Sequence, residues 1–289
     1  MRDDPADIVL HDPGPERPEG LFETTERRGW PLAPIAAGVV LVAALAGGYF
    51  YLRSPSRSTA TPTAAPSTEK PRSAQPAEPG EQIPLPPLDE TDPLVRELVT
   101  RLSSHPTVAA WLTTDGLILN FAVVTQRIAN GESPTKELGA LGPVPPFRPQ
   151  TSREDLLIDP SSYRRYDRFA DAVSALDARG TARLYATLKP RVVEAYRRMG
   201  QPTGDFDPVL ERAIVEMLEV PVVHGEVALA PKGIVYAFDD PKLEGLTSTQ
   251  KHLLRMGPQN VGKIQAKLRE IADYLAIPVS RLPRATVRP

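Results

Sequence analysis

A mainly α-helical fold, tethered to a membrane by one N-terminal span, is what this sequence predicts, and three observations carry the prediction. Residues 32–52, "LAPIAAGVVLVAALAGGYFYL", are uncharged and almost wholly apolar over a length that crosses a bilayer. Residues 54–87 are dominated by Pro, Ala, Ser and Thr, a composition that buries too little apolar surface to offset chain entropy. Beyond them, apolar side chains recur at three- and four-residue spacing between Asp-Pro starts and Gly ends. That is the pattern of helices with one buried face.

Composition narrows the function classes. The chain holds 33 prolines among 289 residues, most of them outside any plausible core, so the folded part is much shorter than the whole. It has no cysteine, which excludes disulfides, thiolate metal sites and cysteine nucleophiles together. The formal net charge of -2 hides an uneven spread: residues 241–289 carry nine basic and three acidic side chains, while the two preceding stretches are net acidic. Only the last segment has the charge to attract a polyanion.

Residues 1–30 mix acidic groups, Pro and Gly, and read as a disordered tail on the cytoplasmic side. The transmembrane helix is expected over 31–53. A core helix of this length would show a polar face, and a signal peptide would have a shorter apolar run with small residues at a cleavage site; here "YFYLRSPSR" follows. Trp30 on one side and Tyr49, Phe50 and Tyr51 on the other stand where amphipathic rings prefer the headgroups. Arg27 and Arg28 are matched by Arg53 and Arg57, so loop charge does not choose an orientation. The extended linker at 54–87 suits a domain held off the bilayer. The expected placement is therefore the inner membrane of a Gram-negative bacterium, single-pass, with the C-terminal domain in the periplasm.

The α-rich domain is expected over 88–277, with a flexible tail at 278–289. "DPLVRELVTRL" places Asp92 as N-cap, Pro93 at the first helical position, and Leu94, Val95, Leu98, Val99 and Leu102 at helical spacing. A short helix from Pro106 and a longer one from about Asp115 follow, with Gly131 as C-cap. Asp159 and Pro160 open a helix through Gly180, and a second helix after it contains Pro190, which should kink or split it. Asp207 and Pro208 repeat the Asp-Pro start. Two β-branched runs, 222–229 and 233–238, flank Pro231, Lys232 and Gly233 and predict one small β-hairpin. The last two helices are expected at 248–256 and 260–276, capped by Thr247 or Ser248.

Three blocks, "LPPLDETDPLVRELVTRLSSHPTVAAWL", "IDPSSYRRYDRFADAVSALDARGTARLYATLKPRVVEAYRRMG" and "LEGLTSTQKHLLRMGPQNVGKIQAKL", resemble the bacterial family described as domain of unknown function 3014. The resemblance covers roughly residues 84–276. It implies one N-terminal membrane segment and an α-rich domain, and it brings no catalytic residues.

Two candidate sites stand out. "LLRMGPQNVGKI" is similar to the hairpin of a helix-hairpin-helix over 248–276, a motif that sets backbone amides against phosphate at a helix start. Gly257 occupies the second glycine position, but Arg255 stands where the first glycine should be, which weakens close backbone approach. Lys251, Arg255, Lys263 and Lys267 would be the phosphate contacts, while a plain turn between two core helices explains Gly257-Pro258 as well. In "SSYRRYDRFAD", Tyr163, Arg164 and Arg168 can line a polar groove for a carboxylate, phosphate or sugar; the same spacing also suits a helix burying Tyr163, Tyr166, Ala170 and Val173. No metal or other cofactor is expected, since the four histidines lie far apart without paired ligands.

These readings favour a membrane-anchored binding, scaffold or envelope accessory protein over an enzyme, with an envelope protein or glycan as partner. A membrane-tethered nucleic-acid binder is the alternative. An envelope hydrolase is the third, and it would need Glu154, Asp155, Asp159 or Asp167 to meet in a cleft.

Overall fold

Local chemistry sets the helix starts, although not always in the way the sequence suggests. The computed structural model describes residues 77–134, 137, 147–152, 155–201, 204–233 and 235–288. The first helices are α1 (Asp92–Leu102), α2 (Pro106–Trp111) and α3 (Leu117–Ala129). Asp92 is not the cap of its own helix; Thr91 takes that position. Instead the Asp92 carboxylate accepts from Gly116 N at 2.7 Å and Leu117 N at 2.9 Å. It thus serves the unpaired amides at the start of α3, where negative charge is favourable. His105 caps α2 through Nδ1, which accepts from Thr107 N.

The strands β1 (Pro149–Ser152) and β2 (Asp155–Ile158) form an antiparallel pair. Between β2 and the next helix, the expected helix from Asp159 is replaced by two 3-10 turns, Pro160–Ser162 and Arg164–Tyr166. Regular helix begins only at α4 (Asp167–Ser174). The break expected at Gly180 falls earlier, because Asp177 accepts from Arg179 N and Gly180 N and starts α5 (Ala178–Arg198). An N-cap of this kind contributes about 1 kcal/mol, enough to offset one internal glycine. Pro190 does not split α5, though it removes the N–H that Ala186 carbonyl would otherwise accept from. The helix α6 (Asp207–Leu218) starts at its Asp-Pro pair.

One β-hairpin was expected, and the described residues hold more sheet than that. The hairpin at the expected place is β4 (Leu229–Lys232) with β5 (Val235–Phe238), but β3 (Val222–Val223) leaves it. After α7 (Pro241–Glu244), α8 (Ser248–Leu254) and α9 (Pro258–Tyr274), β6 (Val287–Arg288) pairs with β3 in parallel. Val222 N donates to Thr286 carbonyl at 2.8 Å and His224 N to Arg288 carbonyl at 3.1 Å. The segment expected as a flexible tail therefore folds back, because β3 offers unpaired backbone groups that an extended chain end satisfies. A bridge between Leu157 and Ala228 joins the β1–β2 pair to the start of β4.

The core sits between α3, α5, α6 and α9: α3 packs on α5 and α6, and α9 packs on α4, α5 and α6. Phe121, Leu188, Phe206, Ile214 and Met217 are fully buried there. Phe121 and Phe206 lie 5.7 Å apart, and Tyr196 meets Phe206 edge-on at 5.3 Å. Trp111, Leu117, Ile118, Val124 and Ile128 are buried as their spacing predicts. Among the described residues no helix is long and apolar enough to cross a membrane. The expected span at 32–52 lies outside the described residues, as do the tail and most of the linker.

Candidate functional site

The two candidate segments meet one another. Gly257 has φ +84° and ψ 162°, a conformation essentially reserved for glycine. A Cβ there would lie 2.8 Å from Tyr163 Cβ and Cδ1. The bare face of Gly257, which the phosphate reading needs, is thus filled by the Tyr163 side chain. Burial pushes the Tyr163 hydroxyl up to about 12, so it stays a neutral wedge at any ordinary pH. Asn260, on the first turn of α9, ties the joint with Nδ2 donating to Tyr163 carbonyl (3.1 Å), Asp167 Oδ1 (2.9 Å) and Met256 carbonyl (3.0 Å).

The basic side chains around the turn are engaged within the chain. Lys263 pairs with Asp171 at 2.6 Å, Lys267 with Glu270 at 2.5 Å and Lys251 with Glu244 at 3.1 Å. Arg255 lies over the Phe238 ring, 4.8 Å from its centroid, and donates to Tyr236 carbonyl. Burial lowers its affinity for its proton, which marks it as a packed group. On the other segment, Arg164 and Arg168 are exposed while Tyr163 is half-buried. The structure therefore joins Tyr163 to Gly257 and leaves the two arginines facing solvent.

The acidic candidates have structural partners. Both Asp159 oxygens are taken by Ser161, from its N at 2.7 Å and its Oγ at 2.6 Å. Those bonds hold its carboxyl below the usual range, the opposite of what a general acid requires. Asp167 accepts from Asn260, Asp155 is exposed on β2, and Glu154 lies outside the described residues. Among the described residues no group of three or more His, Asp or Glu is placed to hold a metal ion. Burial, with Glu219 nearby, raises Glu216, whose carboxylate accepts from the Thr247 hydroxyl. That contact anchors the Thr247–Gln250 capping box of α8 on α6.

A different site emerges along α5. Residues 77–87, expected as the end of a disordered linker, lie as a largely extended strap on the domain, interrupted by a tight turn where Ile83 N donates to the Glu81 carbonyl at 3.2 Å. The Glu78 carboxylate receives Arg179 Nε at 2.8 Å and Arg183 Nε at 3.2 Å, and Glu78 N donates to Tyr274 carbonyl. Glu81 N donates to Thr187 Oγ1 at 2.8 Å, and Arg191 Nη2 donates to Leu85 carbonyl at 2.8 Å. Gly80 sits so close to α5 that a Cβ would be 2.5 Å from Thr187 N and 2.6 Å from the Ala186 carbonyl carbon. This is the peptide unit that Pro190 deprives of its helical donor.

Arg179, Arg183, Thr187 and Arg191 recur at every fourth residue, so they form one row along the helix. An extended chain rises about 3.1 Å per residue against 1.5 Å for a helix, and so the short strap keeps pace with the longer run of α5. Two cavities flank it. One, of about 350 Å³, lies between the strap, Leu98 and Leu102 of α1, and Arg179, Arg183 and Leu184 of α5. The other, of about 220 Å³, is bounded by Glu78, Tyr185, Lys189, Asp207 and the end of α9. At the second cavity Tyr185 donates to Asp207 Oδ1 at 2.6 Å and Lys189 pairs with Asp207 Oδ2 at 2.5 Å. Burial and the Asp207 carboxylate push the Tyr185 hydroxyl far up.

Sequence reading missed this row because the strap side of it was assigned to the linker. The signal present was the every-fourth spacing in "RGTARLYATLKPR". No curated protein and no solved structure matches the chain. The model of the family described as protein of unknown function (DUF3014) matches residues 117–272, the stretch from the start of α3 almost to the end of α9. With more than half of its length covered by that match, the chain belongs to this family.

Proposed function

We propose that this chain is a membrane-anchored binding protein of the bacterial envelope, a scaffold or accessory component without catalysis of its own. Its α-helical domain takes a partner along α5, and the span at 32–52 holds it at the inner membrane with the domain in the periplasm. The observation that supports the reading best is the fit between α5 and the strap. One row of side chains grips an extended backbone, and open volume of binding-pocket scale remains on one side of it. The ionisable groups at the smaller cavity are matched to one another as a Tyr-Asp-Lys cluster, which suits a structural role.

In-cell photo-crosslinking tests it. A crosslinking residue in place of Arg101, at the rim of the larger cavity, should give one discrete adduct that disappears when Arg179 and Arg183 are both changed to Glu. No adduct, or one indifferent to those changes, overturns the reading. Protease added to intact spheroplasts should cleave the domain; protection would overturn the periplasmic placement.

The excess of basic residues over 241–289 favours a second reading, a tethered nucleic-acid binder. It requires plain duplex DNA to bind at low salt and to be released steeply as salt rises, with loss on Lys263→Glu and Lys267→Glu together. Absence of binding at low salt ends it.

A further inference from the structure

We infer that the row on α5 reads an extended, acidic, Gly- and Pro-containing peptide segment of a partner, and that the strap is its built-in competitor. This rests on the binding reading above and names the chemistry of the partner. The strap displays what the row accepts. A carboxylate enters the fork of Arg179 and Arg183, and a glycine two residues later passes the Ala186–Thr187 peptide without a side chain. A backbone N–H then meets Thr187 Oγ1, and a carbonyl further on meets Arg191. Two of these four contacts use only backbone groups. The demands on sequence are therefore an acidic residue, a glycine two positions on, and an extended chain, which flanking prolines pre-set.

Charge complementarity sets the class. The row offers three guanidinium groups in thirteen residues of helix, and two of them converge on a single carboxylate whose side chain is only 14% exposed. Arg forks of this kind select carboxylates over neutral groups. The strap is also built to come off. Its C-terminal end is fixed, with Leu88 buried and Asp89 paired to Arg198 at 2.7 Å. Ahead of that, Glu81, Gln82 and Pro84 are exposed, and polar contacts hold the segment from Glu78 to Glu81, with Leu85 alone packed against the core. A competitor hinged at one end acts at high local concentration and masks the row from weak partners.

The probe is a labelled peptide of residues 77–87, "AEPGEQIPLPP", added to the full-length chain and followed by fluorescence anisotropy. Gly80→Val in the chain drives a side chain into the α5 backbone and expels the strap while leaving the row intact. The peptide should bind this variant at least ten-fold more tightly than the unaltered chain. Arg179→Glu with Arg183→Glu in the same background should abolish binding, as should a valine at the glycine of the peptide. Equal affinity for the Gly80→Val and unaltered chains, or binding that survives the arginine changes, overturns the proposal. Should Gly80→Val fail to fold by circular dichroism, Glu78→Lys releases the strap by repulsion from the same arginines and must show the same gain. Sedimentation of the unaltered chain should show no self-association that Gly80→Val abolishes. If it does, the row belongs to a second copy of this chain and the assignment to a foreign segment falls. A crosslinked partner at Arg101 together with no peptide binding would leave the binding reading standing and sink only this one.

Discussion

At the scale of single residues, function and folding compete for the same atoms, and Gly257 shows which side holds them. Its positive φ and the Tyr163 ring against it mean that the residue is glycine for packing inside the domain. Gly257→Ala should cost on the order of 3 kcal/mol through backbone strain and overpacking. Chemical unfolding checks this, and Tyr163→Ala in the same chain should recover part of the loss. His252 gives a second expectation. Burial, and then the nearby Arg255 charge, push it down to about 4 from an ordinary 6.5. A base whose folded pKa is depressed binds its proton in the unfolded chain first. Stability is therefore full above about pH 6.5 and is lost as pH falls toward 4, by about 3 kcal/mol in all. Unfolding midpoints between pH 7 and pH 4 should show this slope, and His252→Leu should flatten it.

At the scale of elements, buried polar side chains carry the joins that apolar periodicity leaves open. Gln265 of α9, 4% exposed, donates from Nε2 to the carbonyls of Met217 (3.1 Å), Leu218 (3.3 Å) and Val220 (2.8 Å). It thereby serves the Met217 and Leu218 carbonyls at the end of α6, which have no helical donor, and the Val220 carbonyl just beyond it. Gln265→Leu preserves volume but strands those acceptors, so a loss of about 2 kcal/mol is expected by urea titration with an unchanged slope. Most helix positions were legible from capping and spacing: the Asp-Pro starts at 92 and 207, Thr247 as cap, and the Leu117–Ile128 stripe are where the sequence puts them, whereas the Asp159-Pro160 start opens 3-10 turns. The exceptions have separate causes. Asp92 serves amides of α3 that only folding brings near, Asp177 caps α5 ahead of Gly180, and two-residue β3 and β6 are too short to show a period.

At the scale of the whole molecule, the domain begins earlier than composition suggests. A chain starting at Leu88 should unfold at lower urea than one starting at Ala77, by about 2 kcal/mol, because Glu78, Glu81 and Leu85 each lose a bond to α5. Equal midpoints for the two chains would show that the strap adds nothing to stability. The candidate site was half legible. Gly257-Pro258 was singled out as a turn between helices and "SSYRRYDRFAD" as part of a helix or a polar groove, but their meeting was not legible, since nothing local says that Tyr163 is laid on Gly257.

The sequence by itself determined the helical class, the helix starts set by neighbouring caps, the apolar faces, and the family. Those properties depend on residues a few positions apart, where spacing and backbone chemistry act directly. Only the tertiary structure decided that Lys263 pairs with Asp171 and Tyr163 covers Gly257, that the chain end returns to pair with β3, and that the last residues of the Pro-rich stretch lie along α5. The Lys263–Asp171 pair, the Tyr163–Asn260 joint, the β3–β6 pairing and the strap contacts each join groups more than sixty residues apart. Their partners become neighbours only when the core has brought the helices together, so no local pattern announces them.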